Sequence, residues 1–178
     1  SLLTRYYNRA RKPATSGNVY HYEQWALEVP GVGDVRVYPV WNGPGTVKVV
    51  IIDDQKRTPS QTILDAVYDH IENSRPMFAD VTVVGAEEIP IDITVDVELA
   101  TDGSVDEVRA DIERGVTEYL MSLAFTDPLV RYTRIASIVL DIPRVIDYSN
   151  LLINGVDHNI EVTGDQIAVL GEVTVNAV

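Results

Sequence analysis

Apolar residues near the start of the chain recur first at helical spacing and then at the spacing of a strand. Pro30 ends the helical pattern. An alternating run through Val35 and Val37 then leads, past the turn sequence Asn-Gly-Pro-Gly, into an apolar run over 46–52. This order predicts a helix, a tight turn and a β-hairpin, with Asn18 as the helix N-cap. The residues at helical spacing are Tyr22, Trp25, Ala26 and Val29.

A second helix and two strands follow. The segment Thr58-Pro59-Ser60-Gln61 has the composition of a capping box, with a threonine cap and proline at the first helical position. It predicts a helix that ends at Arg75-Pro76. Residues 79–85 predict a strand, and strict alternation over 89–99 predicts a longer strand with one apolar face and one acidic face. The acidic face carries Asp92, Asp96 and Glu98.

The rest of the chain shows two more helical patterns and then alternating apolar runs. Ser104 with Glu107 forms another capping box and opens a long helix, and a shorter helix with Ile135, Ile138 and Val139 is stopped by the segment around Pro143. Three apolar runs separated by turns follow, and Asn154-Gly155 between two of them is a strong hairpin signal. We therefore expect the tail to form a β-meander.

Together these elements predict an α+β protein made of two small α/β sandwich subdomains in tandem, ferredoxin-like, with mixed or antiparallel sheets. Residues 1–16 concentrate positive charge on a predicted helical lead-in. We expect the first subdomain to cover residues 17–88 and the second to cover residues 89–178, ending in the β-meander.

Composition narrows the classes of partner and cofactor. The 27 acidic residues exceed the 14 basic ones and give a net charge of -13, which opposes binding to nucleic acid. No apolar run approaches the ~18 residues that a membrane span needs. Cysteine is absent, which excludes disulfides, thiolate catalysis and cysteine-ligated metals. We predict no cofactor, no nucleic-acid partner and no membrane association.

Motifs for catalysis or metal binding are missing at the usual spacings. His21, His70 and His158 lie in separate predicted elements, and the Gly31-Val32-Gly33 sequence precedes a strand where a dinucleotide fingerprint would follow one. The sequence therefore predicts no catalytic, cofactor-binding or metal-binding residues, and no enzyme.

Two alternatives stay open from the residues alone. A metal-dependent enzyme or small-ligand domain could use Asp53, Asp54 and His70, because acidic residues at a strand end are suited to Mg²⁺. A glycan-binding module could use Trp41 near the hairpin loop. Either alternative requires these side chains to face a binding site.

Aromatic residues cluster in and before the hairpin, where they serve as core or inter-element packing or, for an exposed subset, as a protein interface. The candidate interface residues are Tyr20, Tyr22, Tyr38 and Trp41.

One short pattern occurs twice. VPGVGDVRV at 29–37 and IPRVIDYSN at 142–150 both follow an amphipathic segment and share apolar-Pro-x-Val-x-Asp before a strand. The repetition indicates one helix-to-strand unit in each half, although chance similarity at a helix stop is the alternative.

Several strings in this order resemble the carboxy-terminal two-thirds of the baseplate J-like proteins of contractile phage tails. They are WALEVPGV and WNGPGTVKV in the first half, RPMFADVTVV after the second helix, and IPRVIDYSNLLING with QIAVLGEVTV at the end. Arg144 departs from the pattern, because the first copy of the repeat has Gly31 at that place.

The resemblance implies a structural wedge protein of a phage, prophage or tail-like particle baseplate. Such a virion protein would act by protein-protein assembly with other baseplate proteins and copies of itself, without catalysis. It would lie in the tail baseplate of the virion after assembly in the host cytoplasm. An N-terminal part of the family protein would then be missing from this chain, which starts at Ser1 without methionine.

Overall fold

The computed structural model describes residues 17–101 and 103–178. The predicted helical lead-in over residues 1–16 lies outside the described residues. The chain divides into two compact units, the first ending at Ala86 and the second beginning at Glu87. This division falls two residues before the one expected at 88/89, because the long strand of the second unit already begins at Glu87.

From residue 17 onward, the first unit is a three-stranded mixed sheet with two helices. Strand β2 is central, pairing antiparallel with β1 and parallel with β3. The elements are α1 (Val19–Glu28), β1 (Val32–Pro39), β2 (Thr46–Asp53), α2 (Gln61–Ser74) and β3 (Asp80–Gly85).

Two helix caps were predicted in the first unit, of which one is confirmed and the other is wrong. The Asn18 side chain accepts a hydrogen bond of 3.0 Å from the His21 N–H, as an N-cap does. Helix α2 instead begins at Gln61, after Ser60. Thr58, expected to be the cap, donates its hydroxyl to the Ala86 carbonyl, so it ties the loop to the end of the unit.

The core of the first unit lies between the sheet and both helices. Val49 and Ile51 of β2 face Val67 and Ile71 of α2, and all four side chains are completely buried. Val50 and Ile52 on the opposite face of β2 are also completely buried. The rest of this core comprises Tyr22, Ala26, Val29, Val35 and Val81.

The second unit also has a three-stranded mixed sheet, but its strands follow one another along the chain in a different order. Strand β4 is central, pairing antiparallel with β6 and parallel with β8, while β5 and β7 form a separate two-stranded ladder. The elements are β4 (Glu87–Leu99), α3 (Val105–Leu123), β5 (Leu129–Val130), α4 (Tyr132–Leu140), β6 (Val145–Ile153), β7 (Ile160–Glu161) and β8 (Gln166–Ala177).

The predicted β-meander is wrong, although its turn is real. Ile153 and Val156 exchange backbone hydrogen bonds of 2.8 and 3.0 Å around Asn154-Gly155, which closes the expected tight turn. The chain then leaves β6, because β7 pairs with β5 and β8 lies on the other side of β4. Strands β6 and β8 are therefore separated by β4 and never pair.

The core of the second unit lies on one face of β4. Ile91, Ile93, Val95 and Val97 are buried at alternate positions and pack against the buried stripe of α3. That stripe is Val108, Ile112, Val116 and Leu120. The intervening residues of β4 form the polar face that the sequence predicts.

The repeated sequence pattern folds into the same turn twice. Val32 N–H donates to the Val29 carbonyl over 3.3 Å, and Val145 N–H donates to the Ile142 carbonyl over 3.0 Å. Gly31 has a φ of +93°, whereas Arg144 is not in this region. Arg144 instead pairs with Glu107 over 2.8 Å.

The fold class is therefore confirmed: the described residues form an α+β protein with mixed sheets in two tandem units. None of the described helices is both long and apolar enough to span a bilayer.

The closest backbone approach of the first sheet generates a prediction. A Cβ added to Gly33 would lie 2.0 Å from the Asp53 carbonyl oxygen, at the bulge where β1 meets the end of β2. We expect Gly33→Ala to lower the free energy of unfolding of the first unit by about 2 kcal/mol or more, since the backbone must move.

Denaturant unfolding followed by tryptophan fluorescence measures this effect, because both tryptophans lie in the first unit. Gly43→Ala is the control, since nothing lies within 4 Å of its added Cβ and only its φ of +101° opposes the change. Equal losses for the two variants would contradict the steric explanation.

Candidate assembly surface

The four predicted interface residues do not form one surface. Tyr22 is 2% exposed and packs in the core, edge-on to Trp25 at 5.3 Å between ring centroids, so its assignment to an interface is wrong. Tyr20 and Trp41 are exposed and Tyr38 is half-buried. Trp41 lies in the β1–β2 hairpin loop, and Tyr20 lies on α1.

The hairpin loop is held by its own hydrogen bonds. Val40 N–H donates to the Thr46 carbonyl over 2.7 Å, and the Thr46 hydroxyl donates to the Gly43 carbonyl over 2.7 Å. The same hydroxyl accepts the Asn42 N–H at 3.0 Å. The loop therefore presents Val40 and Trp41 on a fixed backbone.

The loop between α2 and β3 ends beside this hairpin. Asp80 N–H donates to the Gly45 carbonyl over 2.8 Å, and a Cβ on Gly45 would lie 3.5 Å from the Phe78 carbonyl oxygen. Met77 and Phe78 in this loop are 82% and 95% exposed. We call Val40, Trp41, Met77 and Phe78 the apolar tip.

Two residues of the apolar tip have strained backbones. Val40 has a φ of 58° and Phe78 a φ of 79°, in the left-handed region that glycine and asparagine tolerate best. A β-branched or bulky residue is a genuine outlier there. Both side chains are exposed, so the strain is not offset by burial of these side chains within the chain.

A positive charge accompanies the tip. The Lys48 ammonium lies 5.4 Å from the centroid of the Trp41 ring, within the range of a cation–π interaction. This contact covers one face of the indole, the part of a tryptophan on which a sugar ring would stack. The Lys48 ammonium would compete with a sugar ring for that face of Trp41.

Sequence reasoning missed Val40, Met77 and Phe78. Two large apolar residues follow Pro76 directly, between the end of a helix and the start of a strand. In such a position neither helical nor strand periodicity provides a buried face for them. Large apolar residues in such a segment indicate side chains that are exposed on the folded chain.

The residues of the metal-enzyme alternative lie in separate local networks. Asp53 accepts the N–H groups of Gln55 and Arg57 at 2.9 and 2.8 Å, which is turn chemistry. His70 Nε2 lies 3.0 Å from a carboxylate oxygen of Glu28. Asp54 is exposed. Over the described ranges, no group of three or more His, Asp or Glu side chains could hold a metal ion.

A groove of about 570 Å³ lies between α3 and α4 of the second unit. Its lining carries charges of both signs, including Asp111, Arg114, Glu118 and Arg134, and none of Asp53, Asp54 and His70. This groove therefore does not bring together the residues of the enzyme alternative.

The acidic face of β4 is organised by asparagines. Asp96 accepts hydrogen bonds from Asn150 of β6 at 2.7 Å and from Asn176 of β8 at 2.8 Å, so one carboxylate bridges all three strands. These hydrogen bonds hold the pKa of Asp96 below its usual value. Asp92 similarly accepts the Glu172 N–H at 2.8 Å.

Comparison with known sequences decides the family. The model of the baseplate J-like central domain matches residues 14–85, and the model of the baseplate J-like C-terminal domain matches residues 91–176. The chain belongs to the baseplate J-like family. The resemblance drawn from the sequence is confirmed, and each of the two family domains covers most of one compact unit.

Named relatives of this baseplate J-like chain come from phages and prophages. The phage-like element PBSX protein XkdT of Bacillus subtilis is 38% identical over 98% of this chain and 52% of its own length. Baseplate protein gp47 of Escherichia phage Mu is 25% identical over 71% of this chain and 36% of its own length. The chain thus spans about half the length of the XkdT protein.

A solved structure has a similar fold. A chain of the anti-feeding prophage baseplate superposes with a TM-score of 0.68 at 17% identity, covering 96% of this chain and 41% of that one.

The strain at Val40 predicts that asparagine will be tolerated there. We expect Val40→Asn to keep or raise the free energy of unfolding of the first unit, by up to about 1 kcal/mol, because asparagine accepts a positive φ. Val37→Asn makes the same chemical change at a partly buried core position of β1 and should destabilise. Similar losses in tryptophan-detected unfolding would contradict the inference of strain.

The Asp96 bridge predicts a pH dependence. The folded pKa is depressed, so the ionised carboxylate stabilises the second unit above the unfolded value of about 3.9, and this stabilisation is lost as pH falls through the lower folded pKa. The stability difference between the parent and Asp96→Asn should therefore shrink as pH falls below the unfolded value and through the depressed folded pKa. Hydrogen exchange of β4 amides measures it, with Glu98→Gln, on the same face, as the control. A difference that is constant with pH would refute the bridge.

Proposed function

We propose that this chain is part of a structural protein of a contractile phage or prophage tail baseplate and acts by assembly with other proteins. The observation that carries the proposal is the match of two consecutive baseplate J-like domains to the two units. The phage and prophage origin of the named relatives supports it. The particle it belongs to would be a virion or a tail-like particle assembled in the host cytoplasm.

Its partners would be other baseplate proteins and further copies of itself, with no nucleic acid and no membrane among them. The net charge of -13 supports the exclusion of nucleic acid. Because the chain covers only part of the length of its relatives, some contacts of the whole protein would lie in regions beyond this chain.

We assign the chain no catalytic step. The separate networks of Asp53 and His70, together with the exposure of Asp54, support this assignment, since these three side chains are not gathered at a common point. The role would then be mechanical, with two folded units holding surfaces in position.

The apolar tip is the proposed assembly surface of the first unit. Its tryptophan, phenylalanine and methionine belong to residue types enriched in protein interfaces, and burial of one such side chain contributes roughly 1.5–3 kcal/mol. Tyr38 and Tyr20 remain predicted interface residues outside the tip. The rigid hairpin lowers the entropy cost of docking.

Deleting the gene from a bacterium that produces the particles tests the structural role. We expect contractile tails with baseplates to be lost in electron micrographs and to return when the full-length gene is supplied. Intact, contracting tails in the deletion strain would overturn the proposal.

Charged substitutions in the apolar tip test whether it contacts other proteins in the baseplate. Complementation with Phe78→Asp and Trp41→Asp together should fail to restore tails, because a charge replaces each apolar anchor, while the isolated chain keeps its unfolding midpoint. Tyr68→Asp is the matched control, since Tyr68 is an exposed aromatic residue on α2 outside the tip. Restoration by the tip variant would remove the tip from the assembly surface while leaving the baseplate role intact.

A further inference from the structure

The outer edge of β8 is a long unpaired sheet edge. The strand has 12 residues and pairs only with β4 within the described parts of the chain. Its sequence contains no lysine, arginine or proline, and Glu172 is its single charged residue. An edge of this kind offers its free N–H and C=O groups to another strand.

The other edges of the two sheets carry features that discourage such pairing. Strand β1 has a bulge near Asp34 and ends in Pro39. Strand β6 has two register shifts and a positive φ at Asn150, and β3 has only 6 residues. Bulges, proline and short strands protect edges from unwanted partners. From Val173 to Ala177 the edge of β8 has neither a bulge nor a proline.

The second half of β8 is regular. Its pairing with β4 shifts once, between Ile91 and Ile93, and then continues without interruption to Ala177. The Asp92 carboxylate fixes this register shift. It occupies the space that a side chain at Gly171 would need and accepts the Glu172 N–H. Val173 and Val175 point into the core, and Glu172, Thr174 and Asn176 are exposed on the opposite face.

The exposed face that ends at this edge is acidic. Glu172 lies on β8 itself, the Asp92 carboxylate of β4 accepts its N–H, and the strands β4, β6 and β8 contain no lysine or arginine. An added strand would place alternate side chains beside this face. Charge complementarity favours lysine or arginine at those positions, and the alternate positions would continue the apolar inner face.

We propose that the outer edge of β8 accepts an extended segment of a partner protein, with lysine or arginine at alternate positions, as an added strand of the second sheet. Main-chain hydrogen bonds would provide affinity and the alternate basic side chains would provide selectivity. The inference rests on the proposed assembly role and gives one partner segment its chemistry.

Peptide binding to the isolated 178-residue chain tests the proposal without reference to any particle, so its failure is distinct from failure of the baseplate role. The probes are labelled peptides of about eight residues: alternating lysine and valine, alternating glutamate and valine, and the lysine peptide N-methylated at every second amide. We expect the lysine peptide to bind more tightly than the other two by about tenfold or more, to weaken as salt is raised, and to slow hydrogen exchange in β8.

A matched pair of variants locates the site on the protein. Thr174→Lys and Ser149→Lys both add one positive charge to the exposed face, the first on β8 and the second on β6. Thr174→Lys should reduce lysine-peptide affinity about tenfold, and Ser149→Lys should reduce it much less, since charge alone acts there.

Three results would overturn the proposal. They are failure of the lysine peptide to bind, equal binding of the N-methylated peptide, and equal losses for the two variants. The second would show a charge interaction without strand pairing, and the third would place the peptide away from the β8 edge.

Discussion

Burial of one central strand is the constraint on which each unit depends. In the first unit Val49, Val50, Ile51 and Ile52 are all fully buried, so β2 is shielded on both faces. In the second unit β4 is buried at alternate positions only, and its other face is polar. Each central strand pairs antiparallel on one side and parallel on the other. A parallel neighbour requires a crossover connection, and the helices that make the crossovers also supply the apolar cover of the sheet.

The two units reach this arrangement by different chain orders. In the first, the helix-to-strand turn at Val29 precedes the central strand. In the second, the equivalent turn at Ile142 comes after it. The same hydrogen bond, from the first strand residue to the carbonyl of the buried apolar residue three positions earlier, closes both turns. Gly31 has a positive φ in the first turn, whereas Arg144 has a negative φ in the second. The turn can therefore form with two different backbone conformations at this position. The recurrence of the pattern in sequence therefore reflects a shared structural element.

Local features of this fold were predictable and long-range ones were not. Asn18 as a cap, the tight turn at Asn154 and the two faces of β4 each follow from neighbouring residues. The position of β8 does not, because its apolar run fits an antiparallel partner as well as the parallel one that topology selects. The burial of Tyr22 was hidden for a related reason. Aromatic residues suit interfaces and cores equally, and only the packing of α1 on the sheet decides between them.

Two residues of the apolar tip, Val40 and Phe78, are ones that selection for the stability of the isolated chain would not favour. Asparagine or glycine would be less strained at the positive φ of Val40 and Phe78, as at Asn150, Asn154 and Gly155, although Lys56 and Phe125 also hold a positive φ outside the tip. At the tip the chain retains exposed hydrophobic side chains on strained backbone, each costing of order 1–3 kcal/mol. The hairpin hydrogen bonds at Thr46 hold the Val40 conformation in place. We propose that burial of these side chains against a partner is the second state in which the strain is recovered, in keeping with the proposed assembly role.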